Sequence, residues 1–285
     1  MRNRSLAIPY VVWMAVFVIA PLLLIVVYAF TAKDGGVTLS NFSNMGQYFP
    51  AFRHSFVLAV TATVICILIG YPLAYFLSKE GVLVRKVAMM LIMLPMWMNF
   101  LLRTYAWMSL LDDNGLINQF LSGIGFFRLI NTLFGTDLTC FHMINTQGAI
   151  VLGMVYNFLP FMIMPIFSVI DKIDPKVIEA AQDLGANSAM VFRKVIFPLS
   201  LPGVLSGVTM VFIPSVSTFA LSRLLGGGKF LLYGDLIENQ FITLGQSAWP
   251  VGSALSFILL ILVLLSMAVM RRAERDSGDE GGMLW

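Results

Sequence analysis

Charge is scarce in these 285 residues. Asp, Glu, Lys and Arg together make up 12% of the chain, roughly half the share usual in a soluble domain. That excludes a soluble enzyme and a disordered chain, and the small net charge of +3 leaves no nucleic-acid footprint. Cysteine is nearly absent as well. Cys66 lies in an apolar run and Cys140 in a loop, so no disulfide framework is available. The two histidines, His54 and His142, fall in separate loops, and no metal site is expected. No G-x-x-x-x-G-K-[ST] phosphate loop occurs; Gly226–Gly228 and Lys229 run on into Phe230 and are expected to form a flexible turn. No nucleophile–base pair or facing carboxylates can be assembled. The chain is therefore expected to have no catalytic residues and no cofactor.

What it has is apolar sequence. Hydrophobic residues reach 59% and mean hydropathy is +0.87. Six nearly uncharged runs, 8–30, 55–77, 87–111, 148–170, 203–221 and 251–270, each meet the roughly 17–25 residues that cross a bilayer core. An all-α polytopic membrane protein with six transmembrane helices follows. The first run is too long for a cleaved signal and is expected to be retained. Residues 1–53 form the N-terminal end, first span and outer loop. Residues 54–270 form the main transmembrane unit, and 271–285 a charged, Gly-rich tail expected to fray.

Loop charge sets the orientation. With the N-terminus inside, inner segments carry twelve basic residues: Arg2, Arg4, Lys79, Arg85, Lys86, Lys172, Lys176, Arg193, Lys194, Arg271, Arg272 and Arg275. Outer loops carry four, Lys33, Arg53, Arg128 and Lys229. Both termini are expected to face the cytoplasm. Pro72, Pro95, Pro160, Pro165 and Pro214 fall within runs and are expected to interrupt their helices around a pathway. A short helix is expected around 116–124.

The segment 171–202 carries the functional argument. Asp174 before Pro175 is a helix-start signature. Val177, Ile178, Ala181 and Leu184 form one apolar face at helical spacing. Lys176, Glu179 and Asp183 lie opposite with small Ala180, a mixed face suited to a protein partner. Gly185 ends the helix. Asn187 or Ser188 caps a second helix, which Pro198 is expected to stop.

Glu179–Ala180–Ala181, then Gly185, then Pro198 resembles the EAA loop of binding-protein-dependent ABC importer permeases. HSFVLAVTATVICILIGYPLAYFLSK, LPMWMNFLLRTYAWMSLL and VYNFLPFMIMPIF are similar to the spermidine/putrescine branch of that family. The resemblance implies a type I ABC importer permease (MetI-like) fold in a bacterial plasma (inner) membrane. It also implies a separate P-loop ATPase subunit, as a homodimer, with Glu179, Ala180, Ala181, Asp183, Gly185 and Pro198 as coupling residues. A second permease and an extracytoplasmic substrate-binding protein complete the implied assembly, whose solute would be a polyamine. A permease for another small solute is the alternative. A secondary transporter is disfavoured because the runs hold no Asp or Glu.

Path-lining candidates are Trp97, Asn99, Asn157, Ser215 and Ser217, with Asp235 and Glu238 as two carboxylates for two amines. Trp107 reads as an interfacial aromatic. Arg103, inside a run, is expected to face the interior in a structural ion pair.

Overall fold

The computed structural model describes residues 8–32, 35–43 and 45–282; Arg2, Arg4 and Lys33 of the charge count lie outside them. The described residues are almost wholly helical, with one isolated bridge between Thr31 and Val37. Long helices are α1 (Ile8–Ala29), α2 (Phe49–Lys79), α7 (Gln147–Ile170), α9 (Ser188–Ser217) and α12 (Trp249–Gly282). Between them lie α3 (Val82–Trp97), α4 (Phe100–Leu111), α5 (Leu116–Gly123), α6 (Phe126–Phe134), α8 (Pro175–Asp183), α10 (Ala220–Leu224) and α11 (Tyr233–Glu238). Five helices are long and apolar enough to cross a membrane. The sixth expected span, 87–111, is a bent pair instead: the two helices on either side of Met98–Asn99 turn by 94°. Pro95 sits near the end of α3, and Asn99 then starts a new helix by accepting from the N–H groups of Leu101 and Leu102 at 2.8 and 3.4 Å.

Other expected breaks are absent. Pro72 lies inside continuous α2, and Pro160 and Pro165 inside continuous α7. Each costs a backbone bond, yet both helices are clamped by neighbours along their length. Pro198 does not stop the second helix of the loop either. A π-turn at Phe192–Ile196 widens the backbone just ahead of it, which makes room for the ring, and the helix continues to Ser217. Pro214 stands near that end. The final helix continues to Gly282, where a frayed tail was expected.

The centre is a three-helix packing of α2, α7 and α9. Buried Ala59, Ala62, Thr63, Cys66, Gly70 and Ala74 line α2 at helical spacing and let the partner backbones close in, as small residues do in membranes. Met162, Ile163 and Ile166 of α7 fill the space against Cys66, Tyr71 and Val211. Polar links are few but buried: Tyr71 Oη and Ser200 Oγ are 2.8 Å apart, and the Tyr233 N–H donates to Ser55 Oγ at 2.7 Å. By contrast, α1 buries none of its apolar window. Helices apolar all round lie in lipid, and α1 leans on α12 through Tyr28–Trp249 and Phe30–Phe257 ring contacts.

Gly203 and Gly207 set the α7–α9 approach. A Cβ at Gly203 would stand 2.8 Å from the Pro165 carbonyl oxygen, whereas one at Gly207 first meets the Met162 sulfur, at 2.7 Å. A flexible thioether yields more readily than a backbone carbonyl. Gly203→Ala should therefore lower the thermal midpoint of the purified protein more than Gly207→Ala, within the ~1–3 kcal/mol typical of overpacking. Equal midpoints for the two variants would place the close approach elsewhere.

Candidate functional site

Two ends of the bundle carry distinct polar features. They lie at opposite ends of α7, whose 24 residues span about 36 Å.

At the C-terminal end of α7, the chain turns through Asp171–Asp174 into α8. The Asp174 carboxylate accepts from the Lys176 N–H at 3.0 Å with Pro175 in the first turn, as the Asp-Pro pair implies. At the far end the Gly185 N–H donates to Gln182 O at 2.8 Å and the Ala186 N–H to Ala181 O at 3.1 Å. This is the Schellman closure, and Gly185 holds the left-handed φ of +85° that it needs. Asn187, rather than Ser188, caps α9 by accepting from Met190 N–H at 2.9 Å. Three local devices thus fix a helix–turn–helix with almost no slack. Ile178 and Ala181 pack against the main core together with Ile173 and Ala186. Glu179, Ala180, Asp183, Gly185 and Pro198 are exposed, while Ala181 is half-buried. Leu184 departs from expectation: it is 90% exposed, because as the helix-ending residue it swings off the buried face. An Arg85–Asp171 ion pair, with Arg85 Nε donating to Glu80 O at 2.6 Å, braces the neighbouring α2–α3 turn at this end.

The other end gathers Arg223, Asp235 and Glu238. Asp235 is 2% exposed and accepts from Ser222 Oγ–H at 2.6 Å and from the Leu232 N–H at 2.8 Å. Arg223 Nε stands 3.6 Å from Asp235 and its Nη2 2.7 Å from Glu238, while Nη2 also donates to Asn239. The two acids do share one short helix, but one arginine faces both. Burial pushes the Asp235 carboxyl above the usual carboxylate range, against Ser222, the Leu232 N–H and Arg223. Arg223 is the residue sequence reasoning missed; no periodicity ties it to acids twelve and fifteen positions later. Beside it, Ser217 and Glu238 line one mainly apolar cavity of about 520 Å³ with Leu22, Ile25, Phe219 and Leu259. Gly226 and Gly227 are tightly packed, a Cβ on Gly227 falling 2.1 Å from Asn145 Oδ1, whereas Gly228 meets open space.

The remaining path candidates scatter. Trp97 is 77% exposed at the α3–α4 corner, and the Asn99 side chain is engaged in capping. Ser215 is buried and bonded to Val211 O at 2.7 Å. Asn157 is buried on unbroken α7, donating to Gly153 O at 2.8 Å while its Oδ1 has no partner. Arg103 is nine-tenths buried, as its cost in hydrocarbon requires, but the expected ion pair is not formed among the described residues. Its guanidinium stands 6.0 Å from the Tyr156 ring centre, and Nε and Nη1 have no hydrogen-bond partner. Trp107, half-buried, packs edge-on against the same Tyr156 at 5.3 Å.

A helical membrane bundle with a rigid, exposed helix–turn–helix at one end defines a permease architecture. Residues 66–277 match the family of binding-protein-dependent transport system inner membrane components, and the chain belongs to that family. It is 36% identical over 271 residues to the spermidine/putrescine transport system permease protein PotB of Haemophilus influenzae, covering 92% of this chain and 91% of that one. Among solved structures, a bacterial ABC transporter involved in the import of the acidic polysaccharide alginate superposes with a TM-score of 0.75 at 15% identity over 94% of each chain. The MetNI methionine ABC transporter gives 0.55 at 20% identity over 82% of this chain and 97% of that one.

Arg223→Gln tests the buried cluster. A carboxyl raised in the folded state holds its proton more tightly there than in the unfolded chain. Its stabilising contribution is therefore present at low pH and lost as pH rises through the folded value. Without Arg223 that loss should deepen, so the thermal midpoint relative to the unaltered protein should fall as pH rises above the ordinary carboxylate range. The Arg223→Gln, Asp235→Asn double variant should show no such slope, and a slope that persists in it would assign the effect to another group.

Proposed function

We propose that this chain is the permease subunit of an ATP-driven importer of polyamines, spermidine or putrescine, in a bacterial inner membrane. The observation that carries the reading is the 36% identity to a curated spermidine/putrescine permease over 92% of the chain. In this reading six spans cross the membrane, residues 54–270 form the transporter domain, and both termini lie in the cytoplasm. The chain is not itself an enzyme. ATP is hydrolysed by a separate P-loop subunit, a homodimer, and the pathway is shared with a second, PotC-like permease fed by a PotD-like receptor.

Coupling runs through the 171–202 loop. Glu179, Ala180, Asp183 and Gly185 present its docking surface, with Ala181 beneath, and exposed Leu184 is an apolar knob for a cleft on the ATPase. Burying one leucine contributes about 1.5–3 kcal/mol, which suits contact with a protein. On the other side of the membrane, Ser217 and Glu238 line the path with Asp235 behind them, while Asn157 and Ser215 hold the core together. Trp97 and Asn99 shape the mouth at the α3–α4 corner. One observation favours an alternative, a permease for another solute: Arg223 already faces both acids meant for the amines.

Labelled spermidine uptake by the reconstituted assembly is the direct test. Glu179→Lys reverses charge on the docking surface, and Gly185→Val puts a β-branched side chain at φ +85°. Both variants should insert normally yet lose most uptake and the transport-stimulated ATP hydrolysis. Unchanged uptake in both would reject the coupling role, and uptake of no polyamine by the intact system would reject the solute class. Orientation has its own readout. In cells stripped of any outer layer, a membrane-impermeant thiol reagent should modify Cys140 and spare buried Cys66. Modification only after the inner side is opened would reverse the topology.

A further inference from the structure

Asp113, Cys140 and His142 come together at the N-terminal end of α7, although the sequence separates them into two segments. Their candidate ligand atoms all lie within 4.8 Å of one another, and His142 Nδ1 is 2.9 Å from Asp113 Oδ1. The convergence is built from beneath. Asn118, 3% exposed, donates through Nδ2 to the carbonyls of Asp112 and Phe141 at 3.1 and 3.0 Å, and its Oδ1 accepts the Phe141 N–H at 2.9 Å. One buried carboxamide therefore clamps the turn that carries Asp113 to the segment that carries Cys140 and His142. Phe141 packs inward on Phe126 and Phe127, with ring centres 6.2 and 5.3 Å apart. The residues on either side of it, Cys140 and His142, converge on Asp113 instead. The turn is held in its turn by Asp112 Oδ1 accepting from Asn114 N–H at 3.0 Å and by the Gly115 N–H on Asp112 O at 2.8 Å.

We infer that these three side chains form a binding site for one borderline-soft divalent metal ion, with Zn²⁺ the best fit. A thiolate, an imidazole nitrogen and a carboxylate oxygen are the donors zinc takes, with a water completing a tetrahedron; Mg²⁺ and Ca²⁺ prefer all-oxygen sets. Tetrahedral donors at zinc distances stand about 3.3–3.6 Å apart, so binding widens the 2.9 Å His142–Asp113 pair slightly and draws in any donor that stands farther off. The ion takes the place of the hydrogen bond between His142 Nδ1 and Asp113 Oδ1. His142 ligates through Nδ1 and keeps its proton on Nε2, and the Cys140 thiol releases its proton to solvent. Two positive charges then meet two negative ones, and the net charge of the site is zero. The sequence alone leads to the expectation of no metal site, because only the fold brings Asp113 to the Cys140-x-His142 pair. Metal here is a staple that ties the end of α4, the helix that carries Arg103, to the approach to α7, which carries Tyr156.

The test uses the full-length protein in nanodiscs after chelator treatment, with Co²⁺ and Zn²⁺ as probes. Co²⁺ should raise thiolate-to-cobalt absorption that Zn²⁺ abolishes. Cys140→Ser should lose it entirely, and Asp113→Asn and His142→Ala should each weaken binding at least tenfold. Zn²⁺ should also slow maleimide alkylation of Cys140 in the unaltered protein, with EDTA restoring the rate. That second readout stands even where a variant fails to fold. An alkylation rate indifferent to Zn²⁺, or a cobalt signal that survives in Cys140→Ser, overturns the assignment.

Discussion

Hydrocarbon offers no hydrogen bonds, so each backbone N–H and C=O within the bilayer must find its partner inside the chain. That constraint makes the protein helical throughout and also decides how the helices hold together. Apolar surface gains nothing by leaving lipid for protein, so close packing has to supply the cohesion. The small residues along α2 and the Gly203–Gly207 pair of α9 answer that need by bringing backbones within reach of α7. The side chains that fill the remaining space, Met162, Ile163 and Ile166, are almost completely buried. Prolines survive in this centre because neighbours fix the helix on either side of the missing bond.

Local chemistry was readable from the chain, and long-range chemistry was not. Asp174–Pro175 and Gly185 act within a few residues of themselves, so their capping roles follow from residue type alone. The 116–124 helix, observed as Leu116–Gly123, was legible for the same reason. The bend at Asn99 was half legible: Pro95 pointed to a break, but only geometry reveals that the asparagine side chain starts a new helix instead of facing a path. Leu184 obeyed the helical period and still turned outward, because a Schellman closure rotates the last residue off its face. Arg223 with Asp235, and Asp113 with Cys140 and His142, depend on which segments the fold brings together. Spacing along one chain cannot disclose such pairings.

Fold and solute separate cleanly in this architecture. The alginate transporter superposes along nearly the whole chain at 15% identity, whereas the 36%-identical relative is named for spermidine and putrescine. A bundle of this kind is a frame, and specificity resides in the few polar groups placed on it. Arg103 is the sharpest of these. A guanidinium nine-tenths buried with two unbonded nitrogens is costly, and it faces the Tyr156 ring at 6.0 Å, an interaction contributing about 0.5–2 kcal/mol. Arg223, by contrast, lies within ion-pair distance of both Asp235 and Glu238.

The mechanical link between the two ends is α9. It begins at Asn187, directly after the Gly185 turn, and runs unbroken to Ser217, about 45 Å for its 30 residues. Its first turns pack beneath α8; its last residues border the cavity shared by Ser217 and Glu238. Had Pro198 ended a short surface helix, movement of the loop would have been absorbed in a joint. Instead the π-turn at Phe192–Ile196 lets the helix pass the proline. Because Ala186 and Ile178 are packed on the same core as Val191 and Ile196, the loop cannot tilt without carrying the start of α9 with it. The two glycines that seat α9 on α7 lie near the middle of this rod. The loop and the cavity border thus belong to one continuous helix, seated on α7 near its middle.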